Sequence, residues 1–330
     1  MGKIGKVQVS TVGDLFTGDA LQQLIANDGD LDKTFRTNAT LPHDAWIAID
    51  NTVLRVAGER LNGIADLRAK GLIRPLTGGL GVLYDAWQTM SEGGDAEQSM
   101  SGITAGAENA VEFNEVQIPL PVTFVQFRIN GRKLLAAARN GTPLDTTMIA
   151  EATKKVIEKL EDMLFNGSKV VFGGHSLPGY FNYTDSNEVG LAGGWVTTPT
   201  NIEKDVVKLI NANEADRHYG PFNLYLHTDE WGALRQRDST AGGINYLNIL
   251  KGMAGIENVK PSDALGNGHL ALVEMSSGVI DLSTAVDIKT IQWPTHGGMS
   301  TDFMVLAVMA PRVKSDDDGR CGIAFDNNMA

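Results

Sequence analysis

Cysteine is nearly absent: Cys321 stands alone among 330 residues. An intrachain disulfide is excluded, as is any zinc site built on several thiolates, and the simplest reading is a cytosolic protein. Long apolar runs are missing too. No stretch reaches the roughly 18 consecutive apolar residues of a membrane span. The opening MGKIGKVQVS lacks the apolar core of a secretory signal, and Lys6 stands where a myristoylation signal needs Ser or Thr. Positive charge is scarce: 28 Lys and Arg against 40 Asp and Glu leave a formal charge of −12. Such a chain does not hold nucleic acid by counterion release, which needs clustered cations, so any DNA near it is enclosed rather than gripped. What remains is ample for a core. With 42% hydrophobic residues the chain supports one large domain or two lobes.

Candidate chemistry is thin. Gly174-His-Ser-Leu-Pro178 resembles a hydrolase nucleophile elbow, which would make Ser176 the nucleophile. Pro178 replaces the closing glycine, however, and GYFNYTDSN supplies no following helix, so a surface turn is the better reading. His227-Thr-Asp229-Glu230 has metal-ligand residue types, but Asp229 and Glu230 fall in the first turn of a helix capped by Thr228, where acids suit the dipole anyway. His43, His175, His218, His269 and His296 form no H-x-x-x-H pair. Gly78-Gly79-Leu-Gly81 lacks the ending of a phosphate loop, and Asp316-Asp-Asp318 reads as a solvated turn. No catalytic, cofactor-binding or metal-binding residue emerges.

The pattern of elements says more. Residues 1–43 are polar and mixed, an arm that needs a partner surface. From Asp44 to Gly71, Trp46, Ile49, Val53, Val56, Leu61, Ile64 and Leu67 recur mostly every three or four residues, which predicts an amphipathic helix. Gly58 and Gly63 within it mark a bend or a close contact. Pro75–Glu115 holds seven acids, seven glycines and no Lys or Arg. It reads as a long hairpin with strands in GVLYDAWQTM and NAVEFNEV and a Gly-rich tip. Val116–Phe124 alternates apolar and polar and reads as one strand, placed at a sheet edge by Pro119 and Pro121. Asn130 caps a short helix, and Thr142-Pro-Leu-Asp145 opens a long one that stops at Asn166-Gly167. The stretch EKLEDMLFNGS closes that helix. Glu158 and Glu161 are expected on its outer side near Lys154 and Lys155. Glu161 and Asp162 diverge by about 100° and so form no acid pair. Acids in a last turn oppose the dipole, which predicts a basic partner nearby. From Pro199 to Trp293 the texture is α/β, with a strand at Phe222–His227 and a hairpin of Leu270–Met275 with Val279–Leu282. Phe303–Met309 reads as an apolar strand, and Cys321–Phe325 as a last edge.

This order of parts resembles the major capsid proteins of tailed phages, the α+β Hong Kong 97-type fold, in the branch shared with encapsulins. The resemblance runs from Leu41 to the C-terminus and is most specific from Glu115 to Tyr180. It implies an N-terminal arm (1–43) and an E-loop (75–115) lying across a neighbouring subunit. It implies a P-domain (44–74, 116–198 and 294–330) with spine helix 142–166, and an A-domain (199–293). It also implies a structural protein that is not an enzyme and needs no cofactor. Such a protein self-assembles through pentamers and hexamers into an icosahedral shell in the host cytoplasm. The shell encloses double-stranded DNA, with portal, scaffolding and decoration proteins as further partners. The E-loop residues Asp85, Trp87, Glu92, Asp95 and Glu97 are then expected at subunit contacts. Arg132, Lys133, Arg139, Lys154, Lys155 and Lys159 are the expected basic docking surface, and Arg237, Asp238, Ser239, Gly242 and Gly243 the loop at the symmetry axes. The loop has no lysine, so crosslinking through an E-loop lysine is not available. The alternatives are an encapsulin shell around a cargo enzyme and, less favoured, a hydrolase using Ser176.

Overall fold

The computed structural model describes residues 49, 51–53, 55–56, 62–90, 100, 113–132, 147–237, 243–296 and 299–327. The expected arm lies outside the described residues. Ile49, Asn51–Val53 and Arg55–Val56 are helical, as the apolar spacing predicts, and α1 spans Gly63–Ala69. The rest of the expected helix before Asn62, residues 44–48, 50, 54 and 57–61, lies outside the described residues. Gly63 marks a close contact: a Cβ there would lie 2.5 Å from Leu164 Cδ2. Gly71, at φ 71°, ends the helical stretch as expected.

Strand β1 (Ile73–Pro75) and a single 3-10 turn (Gly79–Gly81) lead into β2 (Tyr84–Met90) and β3 (Phe113–Pro119). These two pair antiparallel with each other and with no other described strand, so the expected hairpin is present at its base. Its expected tip, 91–99 and 101–112, lies outside the described residues. The single strand expected over Val116–Phe124 is two. Pro121 has no N–H to continue a ladder, and Leu120 N instead donates to Leu83 O at 2.9 Å, closing the β2–β3 pairing. The chain then starts β4 (Val122–Asn130) on a different sheet. The break also changes the faces: Val122 and Phe124, expected inside, are exposed, and Val125, Phe127 and Ile129 turn inward. The edge position of β4 is as expected. Asn130 Oδ1 accepts from Arg132 N at 2.9 Å, the expected helix cap.

The spine helix α2 (Thr147–Asn166) buries the expected stripe of Ile149, Ala152, Val156, Leu160 and Met163; residues 142–146 lie outside the described set. Gly167, at φ 72°, stops it. Its last carbonyls are not left to solvent: Tyr180 N donates to Leu164 O and Phe181 N to Phe165 O, at 3.1 and 3.0 Å. Between the helix and this returning turn lies a two-stranded ribbon, β5 (Ser168–Phe172) with β6 (His175–Leu177).

The remaining elements are β7 (Asn187–Glu188), α3 (Asn201–Ala215), β8 (Phe222–Leu226), α4 (Thr228–Ala233), α5 (Tyr246–Gly252), β9 (Ile256–Pro261), β10 (Leu270–Glu274), β11 (Ile280–Thr295), β12 (Ser300–Val313) and β13 (Ile323–Asp326). Two sheets organise them. The first has the order β1-β11-β12-β4, and the second β7-β13-β10-β8-β9. The hairpin expected from Leu270–Met275 and Val279–Leu282 does not form. Strand β10 pairs with β8 and β13, while β11 pairs with β1 and β12, so the turn between them crosses from one sheet to the other. Nor is Cys321–Phe325 an edge: β13 lies between β7 and β10. Strands β8, β10, β12 and β13 are buried along their whole length, which explains their nearly unbroken apolar runs.

Helix α2 packs on β12 and β4, and its stripe forms one core with the first sheet. A second core joins α3 and α5 to the second sheet through Ile202, Val206, Leu209, Leu224, Leu250 and Leu272. Aromatic rings extend the first core onto the second sheet. Phe165 at the end of the spine helix meets Tyr180 and Tyr225 edge-on at 5.3 and 5.4 Å, and Phe181 meets Phe325 at 5.3 Å.

Candidate functional site

Asp85 and Trp87 form the root of the hairpin, and both have partners inside the chain. Asp85 is 5% exposed and accepts from Ser283 Oγ at 2.6 Å, with Arg312 Nη1 at 3.5 Å and Arg74 Nη2 at 3.6 Å. Arg312, itself buried, grips Asp281 with two N–H groups and lies 5.1 Å over the Trp87 ring. Burial alone would raise the Asp281 carboxyl, but hydrogen bonds from Arg312 and Lys314 outweigh it and hold the group below the usual carboxylate range. On the other strand, Asn114 Nδ2 donates to Asp317 Oδ1 at 2.9 Å. The acidic turn Asp316–Asp318 is therefore not merely solvated: Asp317 holds the hairpin, while Arg320 pairs with Asp316 and Asp318. Glu92, Asp95 and Glu97 lie outside the described residues.

The basic surface divides. Lys154 and Lys155 pair with Glu158 at 4.0 and 2.8 Å, and Lys159 with Asp162 at 2.7 Å, so the outer face of α2 neutralises its own lysines. Arg132 is exposed; Lys133 and Arg139 lie outside the described residues. In the expected axis loop, Arg237 is exposed and bridges Asn245, and Gly243 has φ 80°. Gln236 Nε2 donates to Val196 O at 3.5 Å, which brings exposed Val196 close to this loop. Asp238, Ser239 and Gly242 lie outside the described residues.

Glu161 overturns its expected place. It is 4% exposed, not on the outer side, and its partner is not a cation. Its carboxyl accepts from Gly63 N at 2.6 Å and Ile64 N at 3.4 Å, at the start of α1. Burial pushes this carboxyl up to about 7, against the pull of those backbone donors. The sequence signal was available in principle, since Asn62-Gly63 lets a backbone approach closely, but its partner is 98 positions away.

Other expectations resolve locally. Helix α4 begins at Thr228 and is capped by His227, whose Nδ1 accepts from Asp229 N at 3.3 Å; Thr228 is not the cap, and its hydroxyl donates to Asp263. Ser176 lies exposed on β6, paired with Val171, with no helix after it, so the elbow geometry is missing. Among the described residues, no group of three or more His, Cys, Asp or Glu is placed to hold a metal ion. Burial pushes the lone Cys321 thiol up to about 12.

This architecture recurs in known structures. A virus-like particle from Pyrococcus furiosus matches with a TM-score of 0.58 at 14% identity, covering 85% of this chain and 98% of the other. The capsid of Myoviridae phage XM1 matches with a TM-score of 0.58 at 12% identity, covering 78% and 90%. Among curated proteins, the type 1 encapsulin shell protein EncA of Myxococcus xanthus (strain DK1622) is 23% identical over 283 residues, 84% of this chain and 91% of its own length. The fold is the Hong Kong 97-type capsid fold. Residues 36–326 match the family described as a family of unknown function, DUF6260, and the chain belongs to that family.

Proposed function

We propose that this chain is a shell subunit, the major capsid protein of a tailed double-stranded DNA phage, and that copies of it close into an icosahedral capsid. The observation that carries the reading is the β2–β3 ribbon. It pairs with no other described strand, it is fixed at its root by Asp85, Trp87 and Asn114, and the segment beyond the root is acidic without a single Lys or Arg. The segment beyond the root holds no cation of its own to balance its acids, and heterologous contacts that supply one close into rings and shells. In this reading residues 75–115 are the E-loop, residues 44–74, 116–198 and 294–330 are the P-domain with α2 as its spine, and residues 199–293 are the A-domain, whose 237–243 loop gathers at the symmetry axes. The capsid encloses DNA without reading its sequence, as the charge of −12 favours. Portal, scaffolding and decoration proteins are further partners, and assembly takes place in the host cytoplasm.

A second reading, an encapsulin shell around a cargo enzyme, is favoured by the match to EncA over most of both chains. Electron microscopy of the purified protein tests the shared part: uniform closed particles support it, and a small soluble monomer or dimer sinks it. The contents of particles purified from their natural source then separate the two. Packaged double-stranded DNA supports the capsid; a single enriched protein supports the nanocompartment.

A further inference from the structure

The contact between α1 and the spine helix holds a buried acid with no cation of its own. Gly63 is what permits it, because a side chain there would strike Leu164 and crowd Glu161 Oε1. Asn62, just before α1, donates from Nδ2 to Pro261 O at 2.8 Å, so the same few residues also touch the end of β9 in the second sheet. Three elements therefore meet at Glu161. We propose that this junction is a proton-gated latch, closed when the Glu161 carboxyl is protonated and loosened when it ionises. The inference stands apart from the proposed shell function and needs only the folded chain.

The groups facing Glu161 from each element decide its charge balance. From its own helix come Glu158 and Asp162, which line a cleft of about 630 Å³ with Asn62, Glu161, Ser262, Asp263 and Ala264. Glu158 and Asp162 carry Lys154, Lys155 and Lys159 as their own ion-pair partners on the outer face, so these lysines are spent there and not on Glu161, and the cleft gives protons a route from solvent. From α1 comes Asp66, 6% exposed. Lys260 of β9 pairs with Asp66, which also accepts from Tyr225 Oη at 2.8 Å and Asn223 Nδ2 at 3.2 Å. Tyr180 and Tyr225 are buried, and burial keeps both hydroxyls neutral well past the usual tyrosine range. No histidine is among these groups. Asp66 is thus the compensated acid and Glu161 the uncompensated one. Its backbone donors favour ionisation, but burial beside a second carboxylate outweighs them.

The sign follows. The folded carboxyl titrates near 7, above its ordinary 4.5. Between those values the closed state binds a proton that the opened state releases, so raising the pH favours opening until Glu161 is ionised in both. Hydrogen–deuterium exchange of the Gly63 and Ile64 amides in the full chain, corrected for the intrinsic pH dependence of exchange, reads this directly. The opening equilibrium is expected to rise roughly tenfold per pH unit between about 5 and 7 and to level off above 7. In Glu161→Gln, whose carbonyl still accepts from Gly63 N, the profile is expected to be flat. A flat profile in the unmodified chain overturns the latch, as does a Gln variant that keeps the slope. Should Glu161→Gln fail to fold, a carboxyl titration of the unmodified protein by ¹³C-Glu NMR decides instead. A buried glutamate titrating near 7 supports the latch; all glutamates titrating between about 4 and 5 overturn it.

Discussion

Gly179 has no room for a side chain. A Cβ there would lie 2.4 Å from Gly167 N and 2.6 Å from Phe165 O, all backbone atoms that close the end of the spine helix. Gly63 is tighter against a side chain than against backbone, because what it meets first is the tip of Leu164, which rotates. The two therefore differ in cost. Gly179→Ala is expected to lose about 3 kcal/mol, the upper part of the overpacking range, and Gly63→Ala about 1 kcal/mol. Urea unfolding of the two variants measures this, and the reverse order would mean that the helix end tolerates displacement better than the helix contact does. Both glycines stand in the sequence as turn or contact signals, Asn62-Gly63 and Leu177-Pro-Gly179. Which atoms they approach was not legible, because those atoms belong to another part of the chain. Glu161 shows the same limit. Helical spacing places it correctly on α2 but on the wrong side, since the residues that meet its carboxyl, at the start of α1, are distant in sequence.

At the scale of elements, the sequence carries local chemistry and not pairing. The 3.6-residue stripe of α2, its glycine stop and the strands of the hairpin are written in neighbouring residues. The assignment of β10 and β11 to different sheets is not, because a short turn after Glu274 looks the same whether it closes a hairpin or crosses between sheets. The hairpin root is likewise invisible in sequence: Asp85 finds Ser283, 198 positions on. That root makes a testable unit. Arg312→Met leaves Asp281 and Asp85 buried with only Lys314 and Arg74 beside them, and breaking a buried pair in this way costs roughly 3–5 kcal/mol. The loss is expected as a lower Tm together with faster amide exchange in β2. Acid gives a second handle. Asp281 is held below the ordinary carboxylate range, so its contribution is present above about pH 4 and is lost as the pH falls through its folded value. Exchange in β2 should therefore quicken below about pH 4 in the unmodified chain and respond less to acid in Asp281→Asn. Equal acid sensitivity in both would mean that another carboxylate governs the root.

For the whole molecule, the order of elements was the most legible property, because a long hairpin, a capped spine helix and an α/β lobe each carry their own pattern and occur in one sequence. The docking surface is where the structure sharpens that reading. On sequence, Lys154, Lys155 and Lys159 are as good a basic target as Arg132. In the fold they are already paired with Glu158 and Asp162 at helical spacing, and exposed pairs of this kind leave little net field to attract an acidic ribbon. Arg132 has no such ion pair among the described residues. Reversing one charge at each site separates them. Arg132→Glu is expected to reduce the yield of closed particles by roughly tenfold, an effect that a contact change of about 1.4 kcal/mol produces, while Lys155→Glu leaves the yield nearly unchanged. Sedimentation velocity measures particle yield, and far-UV circular dichroism verifies that each subunit is folded. A shell repeats each contact many times, so even a weak preference at one docking site is multiplied in assembly. The opposite ranking would put the acidic hairpin on the spine helix; equal yields in both variants would remove charge docking from assembly altogether.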